Sequence, residues 1–300
     1  MKQMYGVATA MVTPFDEDGN ISLDRLERLT EFLIAKGVHC LYPLGTTGEM
    51  LKMTADERKA VAETVVRTAR GRVPVFVHVG AVREEETIEL ARHACEIGAD
   101  GIGVVTPVYF SANDKEMEQY FVNVASSVPK DFPVYLYNIP QCSTNDLKPD
   151  TVQRIADRCG NVIGLKYSFP DLLRINEYLN VNQGRCSVLT GADRLFLPAL
   201  AMGCEGAVSG VSCVYPEPFV ALYHAVKDND LAKAKTLHRI AVRCCEVLQN
   251  ANIAYFKAGL KLRGIDAGFM RAPQLDLNEE ELARLKAEME ELKQEAGGLF

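Results

Sequence analysis

Lys166 closes the apolar run Val162-Ile163-Gly164-Leu165, so its amine is carried on what reads as a buried strand. Desolvation at such a position favours the neutral amine, the only form that attacks a carbonyl, which makes Lys166 a candidate for Schiff-base chemistry. A lysine snorkelling at a strand edge has the same appearance in sequence. Tyr137, at the end of the preceding run, offers a hydroxyl that can carry protons through carbinolamine formation and carbon–carbon cleavage, or it is simply a core aromatic. The stretch Gly45-Thr46-Thr47-Gly48-Glu49 sets two hydroxyls between two glycines, whose sharp turns expose backbone amides and suit a carboxylate, although a structural loop reads the same. Further candidate substrate-binding positions are Gly191, Asp193 and Arg194 after the seventh apolar run, and Val208 in the eighth.

Other chemistries lack their patterns. Neither GxxxxGK[ST] nor GxGxxG is present, which disfavours nucleotide cofactors. The five histidines show no HExxH spacing and the nine cysteines no CxxC, so no metal site is expected. His78, the histidine nearest the candidate site, reads as a hydrogen-bonded structural group, and the cysteines read as reduced core residues. The formal charge of −7 comes without a Lys/Arg block, so neither nucleic acid nor membrane is expected as a partner. With no long apolar span and a poor signal peptide at the N-terminus, a cytoplasmic protein is expected.

These residues need elements to hold them. Eight short Val/Ile/Leu-rich runs recur, Gly6 to Thr13, Cys40 to Leu44, Val73 to Val79, Gly101 to Val105, Val134 to Tyr137, Val162 to Lys166, Ser187 to Thr190 and Gly206 to Ser209, each followed by a helical period. Capping pairs mark helix starts at Thr54 with Glu57 and at Asn113 with Glu116. The count predicts an α/β fold, a (β/α)8 TIM barrel over 1–227, with a doubly wound sheet as the competing architecture. Residues 228–300 read as three helical segments packed on the barrel as a C-terminal extension. In a barrel the polar strand ends named above share one mouth, at the C-terminal face.

The motifs Gly45-Thr46-Thr47-Gly48-Glu49, Val105-Thr106-Pro107 with Tyr109, Tyr137-Asn138-Ile139-Pro140 and Gly164-Leu165-Lys166 span nearly the whole chain. In that order and spacing the sequence resembles the dihydrodipicolinate synthase and N-acetylneuraminate lyase family of pyruvate-dependent class I aldolases. The resemblance implies a metal-independent Schiff base between Lys166 and pyruvate, with no other cofactor. It implies that Thr46 and Thr47 hold the carboxylate, that Tyr137 moves protons, and that Tyr109 completes the relay from a neighbouring subunit of a homotetramer, a dimer of dimers. Two departures bear on the second substrate. Cys142 stands where the 4-hydroxy-tetrahydrodipicolinate synthase branch has arginine, and Ala192, Asp193, Arg194 and Gly210 replace the tyrosine, Asp-Glu pair and serine of the sialic acid lyases. Arg194 can pair bidentately with an acid. The expected substrate is therefore a 4-hydroxy-2-oxo acid or 2-keto-3-deoxy sugar acid. The two namesake reactions, a Schiff-base sugar-acid dehydratase, a metal-dependent aldolase and a non-catalytic binding or regulatory barrel are the alternatives.

Overall fold

The computed structural model describes residues 1–300. Eight parallel strands form its centre: β1 (Gly6–Ala10), β2 (Cys40–Tyr42), β3 (Phe76–His78), β4 (Gly101–Val105), β5 (Val134–Asn138), β6 (Val162–Tyr167), β7 (Ser187–Thr190) and β8 (Gly206–Ser209). Their hydrogen-bonded order is β2-β1-β8-β7-β6-β5-β4-β3, and a parallel bridge between Leu41 and Val75 joins the two ends. The sheet closes on itself, giving the expected TIM barrel and not a doubly wound sheet.

The runs are apolar throughout because both faces of the sheet are covered. Inside, Met4, Ala8, Ala10, Cys40, Tyr42, Phe76, Tyr135, Leu189 and Val208 form a small buried cluster, and a 72-residue cluster fills the space between strands and helices. Strand limits differ from the sequence reading where proline or a side chain takes over the backbone's role. The third strand starts at Phe76 and not Val73, because Pro74 has no N–H to give a ladder. The first stops at Ala10, and Thr13 instead turns its hydroxyl to Gly48 O at 2.8 Å. Strands β5 and β6 each run one residue further than expected, so Tyr137 and Lys166 are penultimate.

Thr54 with Glu57, Asn113 with Glu116 and Asn278 with Glu281 all close reciprocal capping boxes. The barrel's last helix spans Pro216–Lys227. Three more follow, Leu231–Val247, Ile253–Leu262 and Glu279–Glu295, and the last buries Leu285 and Leu292 completely. All nine cysteines are free, and Cys142 alone is exposed.

Candidate active site

Parallel pairing aligns Tyr137 on β5 with Lys166 on β6, so both side chains point to the same side of the sheet. Lys166 is 4% exposed, and its Nζ lies 4.0 Å from the Tyr137 ring centroid and 5.0 Å from that of Tyr42. Ring faces flank the amine, and no carboxylate forms an ion pair with it. The Tyr137 hydroxyl is 3.3 Å from Thr46 Oγ1. Within the loop after β2, Gly48 N, Glu49 N and Met50 N bond to carbonyls of Gly45 and Thr46, whereas the N–H groups of Thr46 and Thr47 make no hydrogen bond to the protein. Thr46 and Thr47 both line the cavity, so two amides without protein partners and two hydroxyls are available there, a donor set that suits a carboxylate.

That cavity has a volume of about 680 Å³. Its wall includes Thr46, Thr47, Tyr137, Lys166, Gly191, Asp193, Arg194 and Val208. Gly191 keeps the lysine's surroundings clear: a Cβ there would lie 3.0 Å from Lys166 Cε and 1.8 Å from Ser168 Oγ. Asp193 is held by Val211 N, which donates to Oδ2 at 3.2 Å, while Oδ1 is buried without a partner. Burial raises this carboxyl to about 6, against the lowering effects of Ser209, Val211 and the Lys166 charge. Arg194 pairs with Glu246 at 3.2 Å and is 47% exposed. His78 is buried beneath the mouth with Nδ1 on Leu44 O at 2.9 Å, and desolvation, with Arg58 and Lys166 nearby, holds it well below the usual histidine range.

Tyr109 is the candidate that stays outside. It is 79% exposed, does not line the cavity, and adopts φ 75° beside Phe110, itself 74% exposed. Sequence reading missed other parts of the wall. Gln141 donates to Ser168 O at 2.7 Å, and both residues line the cavity beside the expected Cys142, as do Cys245, Asn250 and Ala251. The last three come from the C-terminal extension, whose period marks helices but not which end meets the barrel mouth.

A model of the dihydrodipicolinate synthetase family matches residues 3–292. The chain belongs to this family. It is 34% identical over 283 residues to a 4-hydroxy-tetrahydrodipicolinate synthase of Methanothrix thermoacetophila, covering 94% of each chain. A probable 2-dehydro-3-deoxy-D-pentonate aldolase of Escherichia coli is 32% identical, with 93% of this chain and 94% of that one covered. Among solved structures, a prophage protein of the family from E. coli K12, in complex with pyruvate, superposes with a TM-score of 0.92 at 32% identity over 97% of this chain and 99% of its own. This family member is a carbon–carbon lyase of the Schiff-base, pyruvate-dependent aldolase class. No helix is long and apolar enough to cross a membrane.

Proposed function

We propose that Lys166 Nζ adds to the ketone carbon of pyruvate, and that the resulting iminium serves aldol cleavage or synthesis of a 2-keto-3-deoxy sugar acid or similar 4-hydroxy-2-oxo acid. One observation carries the reading: the lysine amine, the Tyr137 hydroxyl and the two free amides of Thr46 and Thr47 converge on one cavity wall. The pyruvate carboxylate sits on the Thr46 and Thr47 amides and hydroxyls, which points its ketone at Lys166. Tyr137 delivers a proton to the carbinolamine oxygen as water leaves, and the iminium then draws electrons so that the methyl carbon loses a proton and becomes an enamine. Attack of that carbon on an aldehyde forms the new bond, and the reverse sequence cleaves it. The covalent iminium is the electron sink, so the cycle requires no metal or separate cofactor.

Asp193 favours a hydroxylated substrate. An unpartnered buried carboxylate oxygen accepts hydrogen bonds from hydroxyls and repels a second carboxylate placed against it. Cys142 supplies no cation for the acid group of aspartate semialdehyde. Arg194 is held by Glu246, a partner it would exchange for an anionic acceptor end. The name of the pentonate aldolase relative agrees with this substrate class.

The same reading places Tyr109 in the site of a neighbouring copy within a homotetramer. Its support is the edge-to-face pair of Tyr109 and Phe110, centroids 5.0 Å apart, two large aromatic side chains left side by side in solvent on the single chain. Nine unpaired cysteines fit the reducing cytoplasm.

Borohydride reduction with pyruvate, read by intact mass, is expected to leave an adduct on Lys166 that Lys166→Ala abolishes. A panel of 2-keto-3-deoxy sugar acids should be cleaved to pyruvate, with aspartate semialdehyde a poor acceptor in the synthetic direction. Absence of any adduct on the wild-type lysine would reject the Schiff-base assignment.

A further inference from the structure

Behind the Thr46–Thr47 loop lies a buried charge cluster that none of the steps above uses. Glu49, the loop's last residue, holds a left-handed backbone at φ 60° with its side chain 1% exposed. Its Oε1 is 2.8 Å from Lys257 Nζ, on a side chain also 1% exposed, and its Oε2 accepts from Lys52 Nζ at 2.6 Å. Lys257 belongs to the extension helix Ile253–Leu262; its ammonium also donates to Phe269 O at 2.6 Å and lies 4.5 Å from the Phe15 ring centroid. Lys52 adds a second tie, donating to Arg271 O at 2.7 Å, and Arg271 Nη1 donates back to Lys52 O at 2.7 Å.

The cluster reaches the substrate loop through the backbone. Glu49 N donates to Thr46 O at 3.0 Å, so the conformation that the buried carboxylate fixes belongs to the same turn that leaves the Thr46 and Thr47 amides free. A non-glycine residue enters the left-handed region only when its surroundings hold it there, and here Oε2 accepts a hydrogen bond from Lys52 while Oε1, which has no hydrogen bond, is held by its charge contact with Lys257. Burial makes the tie stringent: a carboxylate this far from water tolerates no displacement from its partner, because neither group has solvent to replace the other.

We propose that Glu49 and Lys257 are positioning residues through which the C-terminal extension sets the two threonine amides for the carboxylate of the 2-oxo acid. The inference rests on the Schiff-base reading of Lys166. It separates binding of pyruvate from binding of the acceptor, since Asp193 and Arg194 follow β7, three strands away from the β2 loop that carries Glu49, and share no ion pair or hydrogen bond with Glu49 or Lys257. Loss of the tie should therefore raise the pyruvate KM by about tenfold or more, with kcat and the acceptor KM changed by less than about threefold.

The test compares Glu49→Gln, Lys257→Met and the double variant Glu49→Gln/Lys257→Met with the wild type, measuring thermal stability and the pyruvate concentration that half-saturates borohydride trapping. Glu49→Gln leaves Lys257 without its carboxylate and Lys257→Met leaves Glu49 with Lys52 alone, so each single variant should melt earlier. The double variant removes both charges and should recover much of that stability while its half-saturation stays high, a split a purely structural pair would not produce. A folded double variant with wild-type half-saturation overturns the proposal. Should it not fold, Glu49→Gln, which keeps the side-chain shape, carries the same comparison, and an unchanged half-saturation there overturns it equally. Wild-type protein that forms no adduct overturns the Schiff-base reading and this proposal together, whereas a normal wild-type adduct with unshifted variants overturns this proposal alone.

Discussion

Asp193 has a carboxyl that burial raises to about 6, so it changes charge in a range enzymes are assayed in. Protonation removes its charge and turns one oxygen from acceptor into donor, and kcat/KM for a hydroxylated substrate should fall about tenfold per pH unit below that value. Asp193→Asn is expected to flatten this limb and to lower kcat/KM at neutral pH; a limb that persists unchanged assigns it to another group. The stability sign follows from the same shift. A folded-state value above the unfolded 3.8 means that the native state binds the extra proton, so this group's contribution is most favourable below the unfolded value. It declines as pH rises from about 4 through about 6, and urea titrations of the variant should lose that decline.

Strand β6 delivers Lys166 to the mouth, and its placement depends on how closely it packs with its neighbours. A Cβ added at Gly164 would lie 2.3 Å from Tyr135 Cε1 and 2.4 Å from the Ser187 carbonyl oxygen. The ring could turn, but the β7 backbone cannot move without shifting the ladder. Gly164→Ala should therefore cost about 1–3 kcal/mol in thermal or urea unfolding and slow borohydride trapping at Lys166, two residues along the strand. Wild-type stability in that variant would show that the sheet absorbs the methyl group. At the same scale, the capping boxes were legible in sequence because a cap and its third residue are local. The end of β1 was not, because the bond from Thr13 to Gly48 O is made to another strand's loop.

The whole barrel gathers the site from strands, loops and the C-terminal extension, and the proposed tetramer adds Tyr109 from a second copy. Mixing two inactive proteins tests this directly. If Tyr109→Phe removes the relay and Lys166→Ala the nucleophile, random reassociation in pairs restores about a quarter of the sites, because a mixed pair pairs one intact lysine with one intact tyrosine. No recovery on mixing, with exchange shown by mass photometry, would place Tyr109 in its own subunit's chemistry or outside the chemistry altogether.

The sequence by itself determined the eight apolar runs, the helices between them, the lysine on a strand and the threonine pair in a glycine turn, since periodicity, caps and turn residues act over a few positions. Family kinship was legible for the same reason, as order and spacing of short motifs. Tertiary structure decided what those groups meet. It exposed Tyr109, paired Arg194 with Glu246, left Asp193 Oδ1 alone and brought Cys245, Asn250 and Ala251 to the mouth. It also buried Glu49 against Lys257. A charged residue in a helix looks the same in sequence whether water or a carboxylate surrounds it; burial and partner depend on chain segments far away, and only closure of the barrel with its extension brings them together.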